Sequence, residues 1–334
     1  MRDALGREIN YIRISVTDRC NLRCGYCIPK EGVRLCTHEN LLCFDEIERL
    51  VRIFAGLGID RVKLTGGEPF VRRDFPKLAQ KIKEVDGIKK LTVTTNGTFF
   101  TRENAEWALE CFDGINISLD TPDRGVYEEM TGVDVFDNVY DGLQRLLFLN
   151  AGRDPGTLLK LNCVLTRKNK DDITALAGLA KEQKLAVRFI ELMPIGQGKI
   201  FLENGKGVLQ EAEAVKLLEE AYGKLIPCEE NSGNGPAVYY RPEGFCGKIG
   251  FISALSHKFC ETCNRIRLTT TGYLKLCLQY ETGIDLKTLL RNGASDEEIR
   301  AVVLQTIKEK PAGHAFCSGK IVQEENRGMS EIGG

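Results

Sequence analysis

Three cysteines in a CxxxCxxC spacing, Cys20, Cys24 and Cys27, directly follow an apolar run that is typical of a β-strand. A cubane [4Fe-4S] cluster contains four irons, and a compact loop with three thiolates can bind three of them. The fourth iron is then open to chelate a small molecule. A structural zinc site needs four ligands, usually from two CxxC pairs or from CxxC with two histidines. This loop offers neither arrangement, so the spacing predicts an iron–sulfur cluster that takes part in chemistry.

Further candidate motifs lie where predicted strands end. A Gly-Gly-Glu-Pro sequence at residues 66–69 follows a predicted strand, and its two glycines allow a tight turn that exposes main-chain amides and carbonyls to a ligand. Small polar residues end two later strands, in the segments Thr94–Gly97 and Asn116–Asp120. Their hydroxyl and amide groups can bind ribose or carboxylate oxygens. Each segment alone could be an ordinary loop, but their shared position at strand ends favours one binding site.

A second cysteine group consists of Cys260, Cys263 and the more distant Cys277. A CxxC pair with one further cysteine again supplies three thiolates. A zinc site would need a fourth ligand, for which His257 is the candidate. The residues alone leave a zinc site and a second three-cysteine cluster equally open.

Basic residues are placed at strand ends or beside a cysteine group, although the chain as a whole is almost neutral. The net charge is −1 and the pI about 6.4, which gives no electrostatic reason to expect nucleic acid or an anionic membrane as a partner. Local clustering of cations therefore predicts a site for a polyanion such as a triphosphate. The six residues are Arg13, Lys63, Lys160, Arg188, Arg265 and Arg267.

The elements that position these residues alternate between strand-like runs and helical periodicity up to about residue 194, which predicts parallel βα units. Six units are too few for a closed eight-unit barrel, so we expect an α/β fold with a partial (β/α)6 TIM-type barrel rather than an open doubly wound sheet. In such barrels the chemistry lies at the carboxyl ends of the strands. The predicted strands are Tyr11–Val16, Arg61–Thr65, Lys90–Thr95, Gly114–Leu119, Leu159–Thr166 and Ala186–Leu192.

The pattern changes after residue 195, so we predict one domain over residues 1–195 and a C-terminal α+β region over residues 196–334. Glycine-rich segments at 196–199 and 203–207 predict a linker. Shorter, antiparallel strands are expected at Ala237–Arg241 and Lys248–Ser253. Helices are predicted at Phe44–Gly58, Lys170–Lys184, Val208–Tyr222, Leu286–Arg291 and Ser295–Lys308.

The N-terminus lacks the apolar core of a signal peptide, and no apolar run is long enough for a membrane helix. Thirteen cysteines in such a chain favour metal ligation over disulfides, and we expect a cytoplasmic protein. The seven cysteines outside the two groups are expected to be buried or inert thiols. These are Cys36, Cys43, Cys111, Cys163, Cys228, Cys246 and Cys317.

The first cysteine loop, with the aromatic Tyr26 immediately before its third cysteine and the Gly-Gly-Glu-Pro turn behind it, resembles the radical S-adenosylmethionine (SAM) superfamily. The resemblance implies a [4Fe-4S] cluster on Cys20, Cys24 and Cys27 whose open iron binds SAM, and cleavage of SAM to a 5′-deoxyadenosyl radical. The positions implied to contact SAM are Tyr26, Gly66, Gly67, Glu68, Ser118 and Met193.

The segments 247–253, 259–268 and 276–278, with 17–21 and the last six residues, resemble the GTP 3′,8-cyclase family of molybdenum cofactor biosynthesis. The resemblance implies a second [4Fe-4S] cluster on Cys260, Cys263 and Cys277, a C-terminal region that closes the barrel mouth, and a Gly333-Gly334 tail that enters the active site. The implied reaction is abstraction of the C3′ hydrogen of GTP and attack on C8, giving 3′,8-cyclo-7,8-dihydro-GTP. The implied GTP-binding positions are Arg13, Lys63, Thr94, Lys160, Arg188, Arg265 and Arg267, of which the two last also count as catalytic.

The same resemblance implies a flavodoxin- or ferredoxin-like electron donor, a next enzyme that makes cyclic pyranopterin monophosphate, and a homodimer. Neither nucleic acid nor a membrane is expected as a partner. Lys63 departs from the family pattern, which usually has arginine there, although Arg61 keeps a basic residue nearby. Two alternatives are a radical SAM enzyme that modifies a peptide with an auxiliary cluster, and a zinc-stabilised binding module without catalysis.

Overall fold

The structure, a computed structural model, describes residues 1–29, 31–33, 35–203, 207–228, 233, 235–316, 325 and 327–333. Within them the strands are β1 (Tyr11–Ser15), β2 (Arg61–Thr65), β3 (Lys90–Thr95), β4 (Gly114–Ser118), β5 (Leu158–Leu165), β6 (Ala186–Glu191), β7 (Ile226–Pro227), β8 (Val238–Arg241), β9 (Lys248–Ile252), β10 (Arg265–Leu268), β11 (Tyr273–Lys275) and β12 (Gly283–Asp285). The helices are α1 (Phe44–Gly56), α2 (Phe75–Lys83), α3 (Arg102–Cys111), α4 (Arg124–Thr131), α5 (Phe136–Asn150), α6 (Ile173–Glu182), α7 (Gln197–Glu203), α8 (Glu211–Tyr222), α9 (Leu286–Arg291), α10 (Asp296–Ile307) and α11 (Met329–Ile332).

The chain divides into two compact units, each assembled from separate segments. The first unit contains residues 1–21, 31–93 and 259 onwards, and the second contains residues 22–30 and 94–258. The first cysteine loop therefore spans both units, since Cys20 belongs to the first and Cys24 and Cys27 to the second. The predicted boundary at residue 195 stays a prediction.

The first unit is built on strands in the order β12-β11-β10-β1-β2-β3. The strands from β10 to β3 are parallel, while β11 and β12 continue the sheet in antiparallel fashion. Ile12 and Ile14 of β1 are fully buried, and α1 buries residues at helical spacing, including Ile47, Leu50 and Phe54. Since side chains alternate along a strand, Arg13 and Ser15 lie on the face of β1 opposite to these isoleucines.

The second unit repeats this arrangement with strands in the order β4-β5-β6-β9-β8-β7. The first four are parallel, and β8 and β7 are antiparallel to their neighbours. Strand β6 is buried on both faces, because Val187 and Phe189 are fully buried and Arg188 between them is only 6% exposed. Burial on both faces is typical of a central parallel strand.

The six predicted βα strands are confirmed, with ends that differ by no more than one residue. The expectation of purely antiparallel C-terminal strands is wrong in part. Strand β9 is antiparallel to β8 as expected, but it is parallel to β6, and β10 is parallel to β1. The reason is that Ile249, Gly250 and Phe251 are buried in succession, a pattern that suits an interior strand rather than an edge.

The predicted linker at 196–199 is also wrong, because Gln197–Glu203 forms α7; residues 204–206 lie outside the described residues. Helix α8 begins at Glu211 rather than at Val208, which instead forms an isolated bridge with Thr166. The capping box at Ser295 is confirmed: its hydroxyl accepts a hydrogen bond from the Glu298 amide. No helix in the described part of the chain has the length and apolar character needed to cross a membrane.

Candidate functional site

The Gly-Gly-Glu-Pro turn packs main chain against main chain on the segment that leads into Cys20. The Gly67 amide donates to the Thr17 carbonyl at 2.7 Å, and the Glu68 amide donates to the Arg19 carbonyl at 2.8 Å. A Cβ on Gly66 would lie 2.4 Å from the Thr17 oxygen, and one on Gly67 would lie 2.2 Å from the Arg19 oxygen. These two amides, expected to face a ligand, are therefore bonded within the protein, and the glycines are required for close approach.

The remainder of the first cysteine loop belongs to the second unit. The amides of Cys27 and Ile28 both donate to the Cys24 carbonyl, at 2.8 and 3.0 Å, which closes a tight turn between two cysteines. The Arg23 amide donates to the Thr131 carbonyl at 2.7 Å and ties this turn to the end of α4. The side chains of Cys20, Cys24 and Cys27 are each partly exposed. Three accessible thiols are the donor set that an iron–sulfur cluster takes.

Tyr26 is held by a carboxyl group at the end of β4. Its hydroxyl donates to the Asp120 carboxyl at 2.6 Å, and the Val164 amide donates to the other carboxyl oxygen at 2.8 Å. Burial raises the pKa of Asp120 to about 6, although both hydrogen bonds oppose this. The Asn169 side chain donates to the main-chain carbonyl of Asp120 at 2.8 Å. Sequence reasoning included Asp120 in a strand-end segment without assigning it a role; its position directly after β4 was the available signal.

Three of the predicted cations share one row on a face of the first unit. Arg13 of β1 is the register partner of Arg267 on β10 and of Lys63 on β2. Burial, together with the positive charges of Arg13 and Arg265, lowers the pKa of Arg267 well below its ordinary value. Like charges held in one row destabilise each other, so an anion bound there would be favoured. We call Arg13, Lys63 and Arg267 the cation row.

The C-terminal segment reaches the carboxyl ends of β1 and β2. Arg267 donates a hydrogen bond to the Gly333 carbonyl. A Cβ on Gly333 would lie 2.7 Å from Thr65 Cγ2 and 3.2 Å from Ser15 Cβ, and Gly333 has a φ of +78°. The main chain therefore passes over β1 and β2 at a point where a side chain does not fit. Gly334 lies outside the described residues.

The second unit carries its own polar face. Arg188 donates to the Asn116 amide oxygen at 2.8 Å and to the Asn162 amide oxygen at 2.5 Å. The strand register places Ser118, Asn162 and Arg188 in one row, with Lys160 in the row before it. Both cations are more than nine-tenths buried. This face thus brings together three of the predicted site residues, Ser118, Lys160 and Arg188.

One glycine, Gly250, and one hydroxyl group, that of Thr94, lie beside the polar residues of that face. A Cβ on Gly250 would lie 2.8 Å from the Tyr239 ring and 3.2 Å from Arg188 Cγ, so this glycine leaves room for the arginine. The Asn116 side chain donates to the Thr94 hydroxyl at 3.4 Å. Met193 is half-buried and follows β6 by two residues. Its predicted contact with SAM stays a prediction.

The second cysteine group lies in the first unit around two buried cations. Lys310 Nζ donates to the carbonyl of Arg265, the first residue of β10, at 2.8 Å, and also to the carbonyl of Leu276, which precedes Cys277. Arg7 donates to the Cys260 carbonyl at 2.9 Å and is itself ion-paired with Asp3. Neither Arg7 nor Lys310 was assigned a role from the sequence, because both are distant along the chain from the cysteines that they hold.

These cations also favour the thiolate form of a cysteine. Burial raises the pKa of the Cys263 thiol, but the positive charges of Lys310 and Arg265 and hydrogen bonds from Arg265 outweigh it and lower this pKa to about 7. The His314 amide donates to Cys260 Sγ at 3.5 Å. Thiolates in an electropositive setting with an N–H donor are suited to binding iron.

His257, the candidate fourth zinc ligand, belongs to the second unit. Its ring is 79% exposed and lies 3.3 Å from the Glu211 carboxylate. Among the described residues, no three cysteine, histidine or carboxylate side chains are grouped around the position of a single metal ion. Of the scattered cysteines, Cys111 and Cys163 are buried as expected, Cys43 and Cys246 are exposed, and Cys317 lies outside the described residues.

Two known protein families match separate parts of the chain. The Radical SAM superfamily matches residues 14–179, and the Molybdenum Cofactor Synthesis C family matches residues 185–316. The chain is 42% identical to GTP 3′,8-cyclase of Clostridium perfringens (strain 13 / Type A), 41% to that of Pelotomaculum thermopropionicum and 40% to that of Moorella thermoacetica. Each alignment covers 100% of both chains.

Among solved structures, the chain resembles Streptococcus suis SuiB bound to the precursor peptide SuiA, with a TM-score of 0.58 and 17% identity. That alignment covers 91% of this chain and 66% of SuiB. SuiB bound to S-adenosylmethionine gives a TM-score of 0.56 at 18% identity, covering 88% and 68% of the two chains. Together with the superfamily match, this confirms the predicted fold class, the partial TIM-type α/β fold of the radical SAM kind.

Replacing Gly67 with alanine tests the close contact beside Cys20. Because the new Cβ would lie 2.2 Å from the Arg19 oxygen, the segment 17–19 must move. We expect Gly67→Ala to lower the free energy of unfolding by about 1–3 kcal/mol and to reduce iron binding by the first cysteine group. Gly152→Ala is the control, since nothing lies within 4 Å of its Cβ position. Urea unfolding and iron content of reconstituted protein measure both effects; equal behaviour of the two variants would contradict the contact.

The raised pKa of Asp120 predicts a pH-dependent stability. The Asp120 carboxyl has a pKa of about 6 in the folded protein and 3.8 in the unfolded chain. The folded protein therefore binds this proton more tightly, and the free energy of unfolding falls as the pH rises through this range. The difference corresponds to about 3 kcal/mol. Relative to the wild type, Asp120→Asn should therefore gain stability by up to this amount between about pH 4 and about pH 7. Urea unfolding at both pH values tests this, with the exposed Asp141→Asn as control; a parallel pH profile of Asp120→Asn and wild type would refute it.

Proposed function

Because this chain belongs to the GTP 3′,8-cyclase family of radical SAM enzymes, we propose that it converts GTP to 3′,8-cyclo-7,8-dihydro-GTP, the first step of molybdenum cofactor biosynthesis. The observation that carries the proposal is the cation row: three positively charged side chains in one register, next to the end of the chain. A triphosphate offers enough negative charge and oxygen acceptors to satisfy such a row.

The first cysteine group would hold the catalytic cluster. Cys20, Cys24 and Cys27 supply thiolates, and the hydrogen bond from Tyr26 to Asp120 fixes the residue before the third cysteine. When bound, the cluster and SAM supply a 5′-deoxyadenosyl radical that removes the C3′ hydrogen of GTP. The chain's own contribution is to position this loop, through the main-chain bonds of Gly67 and of Arg23 described above.

The cation row would bind the phosphates. Arg267 and Arg13 present planar guanidinium groups, and Lys63 adds a point charge in the same row. Arg61 lies on the same face one row earlier, beside Tyr11. The register therefore supports the view that lysine at position 63 keeps the charge of the row while losing one bidentate contact. The family resemblance also implies that Lys160 and Arg188 bind GTP, and we propose this role for them.

A second [4Fe-4S] cluster on Cys260, Cys263 and Cys277 is proposed to bind the purine. It is supported by the lowered pKa of Cys263 and by the buried Lys310, whose charge would compensate thiolate ligands. Arg7 supports the same loop through the Cys260 carbonyl. Lys310 and Arg7 therefore stabilise the main chain around the three cysteines, although both are distant from them in the sequence.

The reaction needs electrons, and we propose a flavodoxin- or ferredoxin-like donor, a cytoplasmic location and transfer of the product to the enzyme that makes cyclic pyranopterin monophosphate. We also propose a homodimer. The likeness to SuiB, whose structure contains a bound precursor peptide, concerns the fold alone, at 17% identity. A zinc-stabilised module without catalysis would leave the family membership unexplained.

Iron content tests the number of clusters. After anaerobic reconstitution the wild type should hold about eight irons per chain, and a variant with Cys260, Cys263 and Cys277 all changed to alanine about four. A Cys43→Ala/Cys246→Ala variant is the control, because these two exposed cysteines belong to neither group. About four irons in every protein, together with one zinc that the triple variant loses, would contradict the second cluster and the choice of substrate.

GTP affinity tests the cation row. Arg267→Ala removes a half-buried charge that we place on the phosphates, and a hydrogen bond to a charged group contributes about 1.5–3 kcal/mol. We expect GTP to bind about tenfold to a hundredfold more weakly, with the iron content of both clusters unchanged. Arg73→Ala, a change of a 96% exposed side chain in the same unit, should leave affinity unaltered. Equal GTP affinity of Arg267→Ala and wild type, measured by equilibrium dialysis, would remove Arg267 from the site.

A further inference from the structure

A buried ion pair holds the start of the C-terminal segment. The ammonium group of Lys275, on β11, pairs with the Glu325 carboxylate, and the two side chains are 0% and 1% exposed. Lys275 also donates to the Tyr280 carbonyl at 2.8 Å. Because a buried charge without its counter-charge is strongly unfavourable, this pair is a strict constraint on the position of Glu325.

Glu325 has two further partners, Gln279 and Arg327. Its amide donates to the Gln279 carbonyl at 2.8 Å. Arg327 donates to its two carboxylate oxygens at 2.7 and 3.1 Å, and the Arg327 guanidinium lies 4.6 Å from the centre of the Tyr273 ring. All of these partners belong to β11, to the turn after it or to the C-terminal segment itself. We call Lys275, Glu325 and Arg327 the tail lock.

The tail lock and the cation row lie on neighbouring strands. Lys275 of β11 is the register partner of Arg267 on β10, and Arg267 binds the Gly333 carbonyl. The described residues from 325 to 333 thus run across the sheet from β11 to the ends of β1 and β2. Ile332, in α11, is 1% exposed, and the Gly328 amide is capped by Glu331 at 2.8 Å, so the path is supported along its length.

The positive charges around Glu325 explain why the tail lock contains an acidic residue. Lys275 and Arg327 both place positive charge beside Glu325, and the Glu325 carboxylate compensates these charges. Glu325 therefore neutralises the β11 end of the face.

We propose that Lys275 is a positioning residue: its ion pair with Glu325 seats the C-terminal segment so that the main chain of Gly333 meets Arg267 in the cation row. The functional part of this statement rests on the proposed GTP cyclisation, in which Arg267 binds the phosphates. The Lys275 ammonium group pairs with Glu325 and donates to the Tyr280 carbonyl, so we expect its effect on the reaction to pass through the tail.

Hydrogen exchange of the reconstituted holoenzyme, followed by mass spectrometry, tests the seating of the tail. Lys275→Met leaves the buried Glu325 carboxylate with Arg327 as its remaining charged partner, and amides of residues 327–333 should exchange at least about tenfold faster than in the wild type. In Lys275→Met/Glu325→Met the buried carboxylate is removed as well and only the partly exposed Arg327 keeps its charge, so exchange should return towards the wild-type rate. The exposed Lys308→Met is the control, and peptides of β4 to β6 report whether the second unit stays folded. Unchanged tail exchange in Lys275→Met would overturn the lock.

Kinetics of the same variants separate the lock from the proposed reaction. We expect Lys275→Met to raise the KM for GTP and lower cyclisation about tenfold or more, while SAM cleavage without cyclisation continues, and the double variant should recover cyclisation in part. Faster tail exchange with unaltered cyclisation would overturn the positioning role. If the wild type bound GTP but made no cyclised product, the proposed function would fail, and the exchange rates would still decide the lock.

Discussion

The close contact between the Gly66-Gly67 turn and residues 17–19 is the constraint on which the first unit depends. Two main-chain hydrogen bonds, from the amides of Gly67 and Glu68, join the end of β2 to the segment before Cys20. There is no room for a Cβ on either glycine. The position of the first cysteine is thus set by main-chain atoms, which have no alternative side-chain rotamers. A cluster bound there would inherit this rigidity.

A second theme is the use of buried cations to hold irregular segments. Arg7 and Lys310 donate to carbonyls around the second cysteine group, and Lys275 holds Glu325 and the turn after β11. Each cation replaces regular secondary structure as the partner of main-chain oxygens. Such residues concentrate positive charge in the first unit, and thiolates, a carboxylate and a bound triphosphate would all offset it. Structure and charge compensation therefore use the same side chains.

The two units also share a plan. Each has three of the six βα strands, one parallel strand from the C-terminal half and an antiparallel pair at the edge. In each, the polar residues of interest follow the alternation of a strand: Arg13 and Ser15 on β1, Lys160 and Asn162 on β5. The C-terminal strands β9 and β10 therefore extend both units, and the tail that ends at the cation row belongs to the first of them.

The amino-acid sequence by itself determined the six βα strands, both cysteine groups and the identity of the cations, because strand periodicity, thiolate spacing and charge are local properties. It missed helix α7 in a glycine-rich segment and the parallel pairing of β9 and β10, since pairing direction depends on which distant strand offers a partner. Only the tertiary structure brought Lys63, Arg13 and Arg267 into one row, because register between strands is a property of pairs rather than of either segment. It alone revealed Asp120 beneath Tyr26 and Glu325 against Lys275, because the cost of a buried charge selects a partner by distance in space, not in sequence.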